Sequence, residues 1–122
     1  MVAQSDIANL LDWLHDSIDE VSDHLKERHS PAMRQFYEGK LLVFRLIVGR
    51  LMRRYNITRT FIPSFTASEQ NKIKTWLQHK AIAEMRTIKD YTQTEKAKYS
   101  PSDYYYGQYE AFKAVYGQLT KW

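Results

Sequence analysis

The residues best equipped to do chemistry in this sequence are guanidinium groups. Arg50, Arg53, Arg54 and Arg59 follow Lys40 and Arg45 within one stretch of chain. Arginine forks match the oxygen geometry of phosphates and carboxylates, and cations near a helix C-terminus also suit the helix dipole. At about 100° per residue, Arg45 and Arg53 fall on one side of a helix and Lys40, Arg50 and Arg54 nearly opposite. Only near the helix end can they converge. With no helix-turn-helix glycine turn or recognition helix in the sequence, the cluster suits sequence-independent contact with phosphates or an acidic protein surface.

Tyrosine is the second feature, with seven of nine lying between positions 91 and 116. Tyr105, Tyr109 and Tyr116 fall on a core face, which leaves Tyr99, Tyr104 and Tyr106 nearer the surface. Exposed tyrosines at a helix start serve as interface anchors and also stack on bases. The candidate partner-binding or nucleic-acid-binding residues are therefore Arg50, Arg53, Arg54, Arg59, Tyr104 and Tyr106.

Catalytic and metal chemistry find little support. The acidic stripe Asp12, Asp16, Asp19, Glu20 and Asp23 sits on one helix, whereas a carboxylate-bound ion needs ligands from facing helices. It reads as a solvated face near a helix N-terminus. His15, His24, His29 and His79 form no His-Glu-x-x-His string, and the i, i+4 pair Glu20/His24 reads as a surface pair. There is no Gly-x-Ser-x-Gly, and the four glycines fall inside helical patterns rather than in a phosphate-binding loop. Cysteine is absent, which removes thiolate metal sites, disulfides and cysteine nucleophiles. No catalytic residue, metal ligand or cofactor is expected, and the chain reads as a non-enzyme.

Four segments carry the helical spacing that must position these groups. In the first, Ser5 is a candidate N-cap, and Ile7, Leu11, Leu14, Ile18, Val21 and Leu25 recur at alternating steps of four and three. The second opens at Ser30-Pro31, a cap followed by proline at the first helical position, and runs to about Tyr55. The third opens at Thr66, with Glu69 completing a capping box, and its apolar set Ile73, Leu77, Ala81, Met85 and Ile88 implies a long helix to the low 90s or beyond. The fourth opens at Ser100-Pro101 and runs almost to Trp122. Residues 56–65, NITRTFIPSF, read as an ordered crossover, and 92–99 as a frayed helix end or a loop. No segment alternates apolar and polar residues as a half-buried strand does.

The second and fourth segments repeat each other. FYEGKLLVFRLIVGRL (36–51) aligns with YYYGQYEAFKAVYGQL (104–119), pairing Gly39 with Gly107, Phe44 with Phe112, Gly49 with Gly117 and Leu51 with Leu119. Upstream, Trp13-Leu14 and Trp76-Leu77 hold comparable places. The expectation is one all-α domain over 1–122, a four-helix bundle of two repeated antiparallel hairpins (5–55 and 66–121) joined by the crossover 56–65. Glycine inside a helix costs up to about 1 kcal/mol against alanine, so glycines at matched places imply a steric reason. Gly107, Ala111 and Ala114 make a small-residue side on the fourth helix. The second helix carries a further apolar side, Phe36, Val43, Leu46 and Ile47, which places it at the bundle centre or in a homodimer interface.

The string Tyr105-Tyr106-Gly107-x-x-x-Ala111-Phe112-Lys113-x-Val115 resembles a pattern of small helical proteins from phages and prophages. The resemblance implies an accessory protein of a mobile element that blocks a host enzyme or defence complex, and it assigns no residue to a task.

Composition frames the rest. The chain has 122 residues, 43% hydrophobic and 26% charged, with a net charge of +4. Residues 1–25 hold six acids and no Lys or Arg, whereas residues 26–61 hold nine Lys/Arg against Glu27 and Glu38. The segment MVAQSDIANL lacks a basic stretch followed by an apolar run, so no signal peptide is expected. The apolar run Leu41 to Gly49, broken by Arg45, is too short to span a bilayer. The sequence therefore leads to a cytoplasmic interaction protein that binds and occludes a macromolecular partner, a host protein or a second copy of itself. The alternative is direct nucleic-acid binding through the basic segment 26–61.

Overall fold

In a computed structural model that describes residues 3–58, 61–93 and 102–122, the helical spacings become four helices. They are α1 (Ala3–Lys26), α2 (Pro31–Tyr55), α3 (Ala67–Thr92) and α4 (Ser102–Leu119). They pack as an all-α bundle, with no strand among the described residues beyond one isolated bridge, Thr58 to Phe61. Arg59, Tyr99 and the Ser100-Pro101 start of the fourth segment lie outside the described residues.

Local chemistry sets most helix ends. Ser30 accepts a hydrogen bond from the Met33 N–H at 3.3 Å, and Pro31 fills the first helical position, where its missing N–H costs nothing. At its other end α2 stops at Asn56, which takes a left-handed conformation (φ 55°) and donates its N–H to the Met52 carbonyl. Thr66 and Glu69 close the capping box reciprocally, at 3.0 and 3.1 Å. Ser5, by contrast, is not a cap: α1 already includes Ala3, so Ser5 lies within its first turn.

The core is most of the apolar set the spacing selects, with Ile18, Leu25 and Met85 only half-buried at its edge. Ile7, Leu11, Leu14 and Val21 of α1, Ile73, Leu77, Ala81 and Ile88 of α3, and Ala111, Phe112, Val115 and Leu119 of α4 are buried, joined by Leu10. Ile57 of the crossover is buried with them. In α2 both apolar sides are used: Phe44, Val48 and Leu51 are buried, and so are Val43 and Ile47. Helix α2 packs against α1 on one side and α4 on the other, which places it centrally.

The contacts that cross between helices give their directions. Leu25 and Arg34 meet through a 3.3 Å hydrogen bond, and Trp13 meets Phe44 edge-on at 5.6 Å, so α1 and α2 run antiparallel. Tyr91 against Tyr105, and the Lys74 ammonium against the Trp122 carbonyl, make α3 and α4 antiparallel as well. Helices α2 and α4 run in the same direction and touch backbone to backbone. A Cβ on Gly39 would lie 2.0 Å from the Tyr104 carbonyl oxygen, and one on Gly107 would lie 2.0 Å from that of Phe36. The reciprocity follows the sequence offset of 36–51 and 104–119.

Two parts of the expected repeat do not hold. A Cβ on Gly117 would meet nothing within 4 Å, and one on Gly49 would meet only the end of the Arg53 side chain at 3.3 Å. The second glycine pair therefore marks no close helix approach. The tryptophans also differ, because Trp13 packs across its own hairpin onto Phe44, whereas Trp76 packs on Tyr55 of the other.

Candidate functional site

Helix α2 carries its arginines to one end of the bundle, where α3 begins. There Arg50, Arg53 and Arg54 line an open depression of about 500 Å³ together with Trp76 and Lys80 of α3. Arg50, Arg53 and Arg54 stand at i, i+3 and i+4, within about 100° of arc, so they share one side of α2, and Arg45 is the arginine that falls away from them. The Arg54 guanidinium lies 4.5 Å from the Trp76 ring centre and 5.8 Å from that of Tyr55. Such a cation–π contact contributes about 0.5–1 kcal/mol at an exposed site. Trp76 and Tyr55 meet edge-on at 6.1 Å, and Tyr55 meets Phe65 at 6.0 Å, so an aromatic platform supports the guanidinium. The Arg53 guanidinium folds back against Gly49, one turn earlier, where a side chain would crowd it.

Charge at this site is uneven. Lys80 is paired with Glu84 at 2.9 Å. Arg50, Arg53 and Arg54 have no carboxylate partner among the described residues. The C-terminal dipole of α2 offsets part of their mutual repulsion. The arrangement presents three guanidinium forks and an indole to whatever approaches, which is a surface for recognising anionic oxygen.

The remaining basic residues do not extend the cluster. Lys40 lies over the Phe36 ring at 5.3 Å, toward the other end of α2, and Arg45 is exposed on a different side of the helix.

Nor do the tyrosines join it. The Tyr106 ring, 55% exposed, lies 5.5 Å from that of Phe36. From residue 36 to residue 53 a helix rises about 25 Å at 1.5 Å per residue, so Tyr106 and the arginines occupy opposite ends of the bundle. The parallel course of α2 and α4 keeps these two sets of candidate residues apart. The Tyr106 hydroxyl donates to the Glu110 carboxylate, which holds its pKa above the usual phenol value. The half-buried Tyr104 ring leans on Tyr105 at 5.7 Å. Tyr106 also lines a second depression with Ile88, Lys89, Thr92, Asp103 and Tyr109.

Two contributors were not visible in the sequence. Trp76 and Lys80 come from another helix and enter the site only through the tertiary fold. On α1 the acids Asp12, Asp16, Asp19, Glu20 and Asp23 are all exposed, and Asp23 pairs with Lys26 at 3.3 Å. Among the described residues, no helix is long and apolar enough to cross a membrane. Comparison with protein-family models, with curated proteins and with solved structures finds no match to this chain.

Proposed function

We propose that this protein is a non-enzymatic interaction module that docks the arginine end of α2 onto an acidic surface of a protein partner and occludes it. One observation carries the reading: Arg50, Arg53 and Arg54 gather around Trp76 with no carboxylate of their own among the described residues. Arginine and tryptophan are the residues that most often dominate protein interfaces, and they do so in compact clusters of this kind. A nucleic-acid strand is better served by a track of cations along its phosphates, and Lys40 and Arg45 lie away from the cluster. The resemblance of the α4 string to small phage proteins supports a host enzyme or defence complex as the proposed class of partner.

The test is affinity capture from nuclease-treated host lysate with three proteins. These are the wild type, the triple variant R50A/R53A/R54A, and Y106A. The expected result is one protein retained by wild type and Y106A and lost with the triple variant. Retention by the triple variant overturns the reading, and so does loss of capture on nuclease treatment, which would point to nucleic acid.

A further inference from the structure

The turn between α1 and α2 gathers groups that play no part in the arginine site. His24 sits in the last turn of α1, and Glu27 and His29 lie in the short connection before Ser30. One ligand atom from each of the three, a ring nitrogen or a carboxylate oxygen, lies within 4.8 Å of the other two. From this juxtaposition we infer that His24, Glu27 and His29 form a binding site for a divalent transition-metal ion of the zinc class, clasping the turn that joins the two helices.

The surroundings orient one of the imidazoles as a metal site requires, and stack an aromatic ring against both. Metal-bound imidazoles characteristically engage their second ring nitrogen with a carbonyl or carboxylate oxygen, which fixes tautomer and ring direction. His29 Nε2 hydrogen-bonds the His24 backbone carbonyl, and that leaves the lone pair on Nδ1. His24 Nε2 lies 3.9 Å from the Glu20 carboxylate, beyond hydrogen-bond reach but close enough to add negative charge beside the ring. Tyr37 of α2 holds both rings, stacked on His24 at 4.8 Å with 6° between planes and tilted against His29 at 5.1 Å.

Charge and geometry favour a cation here. Asp19, Glu20 and Asp23 are exposed on the same end of α1. Of the cations close by in sequence, Lys26 and Arg34 are engaged with Asp23 and Glu38, and Arg28 makes no ion pair, so Glu27 has none among the described residues. Zinc bonds of about 2.0–2.1 Å at tetrahedral angles bring ligand atoms roughly 3.3 Å apart. The contraction needed from 4.8 Å falls on the turn, where Glu27 and His29 are outside any helix. Two imidazoles with one carboxylate select zinc-like ions over Mg²⁺ and Ca²⁺ and leave a fourth position for water.

The test titrates the full chain with ZnCl₂ and separately with MgCl₂, reading stoichiometry by calorimetry and stability by thermal unfolding. The variants are H29Q and E27Q, with H79Q as a control on the exposed His79 of α3; helical circular dichroism checks that each variant folds. The expected result is one zinc per chain and a raised Tm, with no response to magnesium. H29Q and E27Q should each weaken zinc binding at least about tenfold, and H79Q should leave it unchanged. Absence of one-to-one zinc uptake, or uptake that survives H29Q and E27Q, overturns the inference.

Discussion

The two ends of the central helix α2 use glycine in opposite ways. Toward its start, Gly39 presses against α4 so closely that a single added carbon would collide with the Tyr104 carbonyl, and Gly107 mirrors it against Phe36. Near its finish, Gly49 faces only the guanidinium end of Arg53, and its sequence counterpart Gly117 faces open space. The first end is closed by backbone contact. The second is where polar demand goes unmet: three arginines have no carboxylate, and the buried Gln70 in the first turns of α3 has no hydrogen-bond partner for its amide among the described residues. The contrast teaches that the glycine crossing brings α2 and α4 together at one end, whereas the arginine end leaves those charged and polar groups without such partners among the described residues.

The sharpest way to break this comparison is to add a methyl group at each glycine. G39A or G107A forces backbone apart from backbone, and each is expected to destabilise by about 3 kcal/mol or more. G117A should instead stabilise, by up to about 1 kcal/mol from helix propensity alone. Denaturant midpoints measure all three, and equal effects at Gly107 and Gly117 would erase the distinction.

Gln70 tests the second half of the comparison. Replacing a buried, unpartnered amide by an apolar side chain removes a desolvation cost of about 1–3 kcal/mol. Q70L is therefore expected to raise the Tm, and a lowered Tm would mean that the amide is satisfied.

The arginines should reveal their repulsion through salt. Raising the ionic strength from about 10 mM to about 200 mM screens like charges at the surface. Wild-type Tm is expected to gain more from that change than the Tm of R50A/R53A/R54A, and parallel salt curves would count against mutual repulsion at the site.

The smallest effect belongs to the capping box of α3. The Thr66 backbone N–H, and then its hydroxyl, hold Glu69 below the ordinary carboxylate pKa. A lowered folded value adds stability that is present above the unfolded pKa and is lost as pH falls through the folded one. The Tm gap between wild type and E69Q should therefore shrink from pH 7 toward pH 3 and not at neutral pH or above. A constant gap would assign the cap's contribution to geometry alone.

What could be read from the sequence was what depends on neighbours in the chain. Ser30-Pro31 and Thr66 with Glu69 are helix starts because each acts on N–H groups within three or four residues, and the apolar spacings select the core for the same reason. The repeat signalled a steric reason at all four matched glycines, yet only Gly39 and Gly107 have one, because the pattern does not say where along the helices the crossing falls. Tertiary convergence was not legible. Arg50, Arg53 and Arg54, at i, i+3 and i+4, share one side of α2, but their neighbours Trp76 and Lys80 arrive from α3 and give no signal in the local sequence. The tyrosines looked adjacent to them in purpose but are separated by the length of α2. His29 gave no spacing signal with His24, because the chain between them leaves the helix.

The central claim is that the arginine end binds acidic protein surface. Fluorescence anisotropy would test it with a labelled glutamate-rich peptide and a single-stranded oligonucleotide of equal charge, at about 50 and 200 mM salt. The account predicts that the peptide binds wild type and Y106A, weakens with salt, and fails to bind R50A/R53A/R54A. Equal binding by the triple variant, or a clear preference for the oligonucleotide, would contradict it.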